Sequence, residues 1–151
     1  FKSQPVQTSR YPLETDRLRY HLLMEGMTMQ KVIIDSCGWV AVIEAGLNID
    51  SSLIELIGPY RFAILAPVRS ELQVLNDGGK NLLLDLLDSR ADPFVLAVDE
   101  QTHADDQILI LAEQEGWPVL TVDRELKRRL VDSSCRVIEV VSNKRLRLVM
   151  E

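Results

Sequence analysis

Four acids stand where strand-like runs give way to helix-like ones. They are Asp35 in VIIDS, Glu71 in PVRSEL, Asp105 in HADDQIL and Asp123 in VLTVDREL. Carboxylates are hard oxygen donors, and with no Cys or His cluster beside them they favour Mg²⁺ or Mn²⁺ over zinc. Brought together without a cation, the four would repel one another and raise each other's pKa. A divalent cation, or a pair about 3.5 to 4 Å apart, removes that repulsion, activates water in line with a phosphodiester and stabilises the leaving oxygen. The implied chemistry is phosphodiester hydrolysis. Singly, each acid is also a residue type that caps a helix N-terminus and faces the positive end of its dipole.

The elements that must position these acids follow from the hydrophobic pattern. Lys31 to Ile34 reads as a buried strand ending in Asp35, and Ser36 to Glu44 as a helix closed by Gly46. Asp50 or Ser51 is expected to cap a short helix through Ile57, before Gly58 and Pro59 break the chain. Phe62 to Ala66 is a second strand. Pro67 suits the start of a helix over Val68 to Asn76, which carries Glu71. Lys80 to Ser89 reads as a helix packed on the sheet, and Phe94 to Val98 as a third strand. Thr102 is placed to cap a helix carrying Asp105, Ile108, Leu111 and Ala112, which Gly116 stops. Val119 to Val122 is a fourth strand, Arg124 to Leu130 a basic helix, Arg136 to Val141 a fifth strand and Lys144 to Met150 an edge strand.

Alternating strands and helices predict a parallel sheet covered on both faces, with right-handed crossovers. The C-terminal ends of such strands lie along one edge, together with the first turns of the helices that follow. Four acids from four distant segments therefore converge on that edge. Competing chemistries lack their motifs: no GxxxxGK[ST] loop, no GxGxxG after the first strand and no GxSxG elbow occurs. DSCGW carries Cys37 where an aspartyl phosphotransferase would have a second Asp.

The 151 residues, 46% hydrophobic and 26% charged, suit one domain with a proper core. No apolar run approaches the roughly 18 residues that span a bilayer, so the expected location is cytoplasmic, with no membrane partner. Cys37 and Cys135 are expected to be reduced thiols. The net charge of -6 is unevenly spread: residues 123 to 151 hold 8 of the 17 Lys and Arg but only 5 acids. An acidic body with a basic C-terminal face suits a polyanion held beside a metal, although a solvated helix face has the same composition. Residues 1–28, with Pro5 and Pro12, read as an N-terminal extension or arm, and 29–151 as the domain. Within the arm, Glu14 to Gly26 could form a short helix, His21 being a solvated or packed residue, and Met29 is a plausible natural start.

The stretch from Lys31 to about Val141 resembles a PIN domain, a family of metal-dependent nucleases. The blocks HADDQIL and VLTVDRELKRRL are the most specific part of the likeness, and they are similar to the branch of rRNA-processing PIN nucleases in eukaryotes and their archaeal relatives. The resemblance implies a three-layer α/β/α sandwich with a central, mainly parallel, flavodoxin-like sheet, Mg²⁺ or Mn²⁺ dependence and endoribonuclease activity. It makes Asp35, Glu71, Asp105 and Asp123 metal ligands, and Asp106 an auxiliary ligand or a helix cap. Ser36 and Thr121 have hydroxyls placed to bond a ligand carboxylate or a metal-bound water. Cys37 departs from the Asn or Ser frequent at that position. Arg124, Lys127 and Arg128 share a helix face that would meet RNA phosphates, while Leu126 and Leu130 pack inward. Trp39 and Trp117 are expected in core and turn packing. The functions compatible with the pattern are rRNA or precursor RNA processing, a ribonuclease toxin of a toxin–antitoxin pair, and a non-cutting scaffold. The implied partners are RNA with either a ribosome-assembly protein or an antitoxin, and a homodimer is common in the family.

Overall fold

In the computed structural model, residues 30–142 and 144–150 are described. The helix expected over Glu14 to Gly26, with His21, and the Met29 start lie outside them. Six strands form one sheet in the order β3-β2-β1-β4-β5-β6. In chain order the elements are β1 (Gln30–Ile34), α1 (Ser36–Ala45), α2 (Ile49–Ile57), β2 (Tyr60–Leu65), α3 (Ala66–Asp77), α4 (Leu84–Arg90), β3 (Ala91–Phe94), α5 (Ala104–Glu115), β4 (Val119–Leu120), α6 (Arg124–Asp132), β5 (Val137–Val141) and β6 (Arg145–Val149). The first five are parallel and β6 returns antiparallel beside β5. This is the expected α/β sandwich with a mainly parallel sheet. No helix among the described residues is long and apolar enough to cross a membrane.

The chain moves outward from β1 through β2 to β3, then jumps back past β1 to β4. The switch point therefore lies between β1 and β4, where the two neighbouring connections leave in opposite directions and open a crevice at the C-terminal edge. Asp35 follows β1 and Asp123 follows β4, so the two acids flank that crevice. Val32, Ile33, Ile34, Phe62, Leu65, Val119 and Leu120 are essentially inaccessible, as parallel strands covered on both faces require.

Several element boundaries differ from the pattern-based expectation: β2 is Tyr60–Leu65 and not Phe62 to Ala66, β4 stops at Leu120 and not Val122, and the remaining differences have identifiable partners. The third strand is Ala91–Phe94, not Phe94 to Val98: Asp92 is gripped by Lys31 of β1 and Arg61 of β2, and Val95 is left 82% exposed. Pro93 is tolerated because β3 is an edge strand. The helix expected from Lys80 begins only at Leu84. Trp39 Nε1 donates to the carbonyl of Leu82 at 2.8 Å in the core, and Leu83 turns into the left-handed region at φ 51°. The caps also shift by residue: Asn48, not Asp50 or Ser51, accepts the Ser51 N–H, and His103 rather than Thr102 precedes α5, without a side-chain cap. Asp50 instead receives Arg90 and the Tyr60 hydroxyl, tying α2 to β2 and the end of α4.

Helix α1 and strand β4 are in backbone contact at Gly38. A Cβ there would lie 2.3 Å from the carbonyl oxygen of Leu120 and 3.1 Å from Cα of Thr121. Neither is a flexible side-chain end, so the helix itself would have to move. Gly38→Ala should therefore destabilise the fold by roughly 3 kcal/mol through overpacking, even though alanine is the better helix former. A drop in melting temperature of about 10 °C is expected by calorimetry, whereas an unchanged or raised midpoint would contradict the contact.

Candidate active site

Asp35 is the most enclosed of the four acids, only 5% exposed. As N-cap of α1 it accepts the Ser36 N–H on Oδ1 at 2.9 Å. Its Oδ2 accepts the Thr121 hydroxyl at 2.7 Å and the Cys37 thiol at 3.0 Å. Thr121, fully buried at the end of β4, accepts the Asp123 N–H on the same hydroxyl at 3.1 Å. One threonine thus couples the two aspartates that flank the crevice. Burial, and then the neighbouring Asp35 charge, push the Cys37 thiol up to about 11. It stays protonated at neutral pH, acting as a donor and not as a nucleophile.

The other acids approach from separate helices. Asp123 caps α6, accepting the Leu126 N–H at 2.9 Å on Oδ1. Glu71, exposed on α3, accepts the Ser36 hydroxyl at 3.0 Å. Asp105 lies in the first turn of α5, half-buried. Its pKa is raised, first by burial and then by the charges of Asp35, Asp123 and Glu71, with Arg129 opposing. The structure therefore brings all four segments within electrostatic reach of one another. Among the described residues no three acidic, His or Cys side chains yet converge closely enough to grip an ion. Those of Asp35, Glu71 and Asp123 are each turned toward a protein donor.

The remaining expected residues divide. Asp106 accepts Arg129 at 2.8 Å and so ties α5 to α6. Lys127 is turned onto Glu139 of β5 at 2.9 Å, and Arg128 is held along its own helix by Glu125 and Asp132. The shared cationic face of Arg124, Lys127 and Arg128 is thus broken up, with Arg124 exposed beside Asp123, while Leu126 and Leu130 are buried as expected. Trp39 is core, and Trp117 packs edge-on against Phe94 with ring centroids 5.6 Å apart. Pattern reasoning missed two contributors. Gly38 is announced only by a glycine in the first turn of a helix, and Cys37 only by its place two residues beyond Asp35.

Comparison with known proteins returns a family model described as a PIN like domain, matching residues 32–143. No curated protein matches. Among solved structures, the chain is similar to one described as the PIN domain endonuclease Utp24, with 23% identity and a TM-score of 0.66, covering 80% of this chain and 92% of that one.

The raised pKa of Asp105 has a definite sign. The folded state holds its proton to higher pH than the unfolded chain, so its contribution to stability is full below the unfolded value and is lost as pH rises through the folded one. With divalent cations chelated, Asp105→Asn should melt above wild type at neutral pH, despite losing a charge that favours a helix N-terminus. The gap should close on acidification below the ordinary carboxylate range. A variant that melts lower at neutral pH would mean that the acids do not repel.

Proposed function

Because the chain belongs to the PIN-like domain family, whose model spans 112 of its residues, we propose that it is a metal-dependent endoribonuclease acting in rRNA or precursor RNA processing. The observation that carries this reading is the junction at the crevice, where the Thr121 hydroxyl joins Asp35 to the backbone of Asp123 and Ser36 reaches Glu71, with Asp105 beside them, its pKa raised by burial and then by those three charges. Carboxylates gathered at a switch point offer hard oxygen donors to a divalent cation. The HADDQIL and VLTVDRELKRRL blocks support RNA as the substrate and a ribosome-assembly context, and the likeness of fold to a PIN domain endonuclease agrees with a nuclease. Residues 1–28 are read as an arm outside the nuclease domain.

The donor set fits a hard divalent cation. Both oxygens of Asp105, Oδ2 of Asp123 and Oε2 of Glu71 accept no hydrogen bond among the described residues. When bound, Mg²⁺ or Mn²⁺ supplies Lewis acidity toward water and toward the phosphodiester oxygens. The chain's own residues do the positioning. Thr121, Cys37 and the Ser36 amide fix the Asp35 carboxylate, and Thr121 at the same time anchors the backbone of Asp123. Ser36 reaches across to Glu71, so the first turn of α1 sets the direction of two acids from different elements. Asp106 holds Arg129, which leaves Asp105 as the acid of that helix available to a cation.

Cleavage of a labelled structured RNA with Mg²⁺ or Mn²⁺ tests this. Wild type should cut, chelation should stop it and added metal should restore it. Thr121→Val should lose about 10- to 100-fold, the usual cost of a partner that orients a ligand, and Asp35→Asn should lose more. Asp123→Asn is the decisive variant, because asparagine caps a helix as well as aspartate does. It should fold with a melting temperature no lower than that of wild type and still fail to cut. Equal activity in all these proteins would leave a non-cutting scaffold as the better account.

A further inference from the structure

On the α6 side of the acid cluster the sheet ends at β6, and the seam where α6 lies beside β5 and β6 carries a group of cations. We propose that this seam, lined by Arg124, Lys127, Lys144, Arg145 and Arg147, is the track for the phosphodiester backbone of a single-stranded RNA. The choice of RNA as occupant rests on the nuclease reading of the neighbouring acids. The pairing of β5 with β6 sets Glu139 opposite Arg147 and Val141 opposite Arg145, so both arginines stand on the face that Glu139 shares. Lys127 of α6 reaches the same Glu139 at 2.9 Å, which identifies that face as the one α6 covers. Glu139, with a side chain only 12% exposed, is held by Lys127 and Arg147 together, so this cluster keeps an excess positive charge. Arg124, Arg145 and Lys144 are exposed and add to it.

The position along the edge is right for a strand leaving the acids. β4 ends beside Asp123, β5 runs parallel to it, and antiparallel β6 begins at the same edge, two strand spacings or roughly 10 Å away. That is about one Debye length at physiological salt, so the cations act on a chain passing the acids. The β5–β6 turn places a further cation at this edge. Lys144 holds φ 60°, a left-handed conformation that Gly or Asn adopts at far lower cost in such a turn.

Anisotropy of a short, unstructured, labelled RNA, measured in chelator so that nothing is cut, tests the track. Arg145→Ala with Arg147→Ala should weaken binding about tenfold and lower the slope of log K against log salt by about 1.4, two single-strand phosphate contacts. Lys80→Ala with Arg136→Ala removes the same charge away from the seam and should leave both nearly unchanged. Lys144→Gly should raise the melting temperature by a few degrees and still weaken binding, which separates strain from affinity. Equal losses in the two double variants, no loss in either, no RNA binding by wild type, or tighter binding of a polyglutamate peptide than of RNA would each overturn the proposal. Selective loss in the Arg145/Arg147 variant of a wild type that never cuts RNA would uphold the track while the nuclease reading fell. Cutting by wild type with no selective loss would do the reverse.

Discussion

The site depends on one close approach, the first turn of α1 laid directly on the backbone at the end of β4. Only the missing side chain of Gly38 lets the helix come so near Leu120 and Thr121. That proximity allows a single hydroxyl to serve Asp35 and Asp123 at once, with a thiol completing the set. Strand pairing alone would bring the two acids to the same edge. It would not fix their side chains, because an aspartate at a strand end has free rotamers unless something buried holds it. Glu71 is tied to this junction through Ser36, and Asp105 faces it from the first turn of α5.

The fold also separates charges that the sequence interleaves. Asp50, Asp88 and Asp92 have pKa values lowered, with arginine partners beside them, and their pairs tie α2, α3, α4 and the outer strands together. Such partly exposed pairs each contribute little to stability, but they set where elements meet. Asp105, by contrast, is surrounded by its own kind. The same residue type is thus spent as a staple in one half of the molecule and left under repulsion at the crevice.

Much of this was legible in the sequence. Periodicity gave the alternation of strands and helices, and the rule that strand ends share an edge was enough to gather Asp35, Glu71, Asp105 and Asp123. Where pattern failed, a contact between distant residues had overruled a local preference. FVLAV has the composition of a strand, yet the charges of Lys31 and Arg61 draw in ADPF instead. KNLLLDLLDS has the spacing of a helix, yet the indole of Trp39 claims the carbonyl of Leu82 and delays its start. Lys127 shares a helical face with Arg124 on paper and is turned inward by Glu139 in the fold. None of these partners is visible in a window of neighbouring residues, since each lies 12 to 61 positions away.

The two rims of the sheet have a bearing on self-association. An open strand offers unpaired amides and carbonyls to any second sheet, and proteins blunt that invitation with proline or with long charged side chains. Here β3 is only four residues long and carries Pro93, while β6 presents arginines at alternate positions. Both ends of the ladder are therefore poor templates for another copy of the chain. Crowding is accordingly not expected to zip the described sheet edges of two such molecules into fibres.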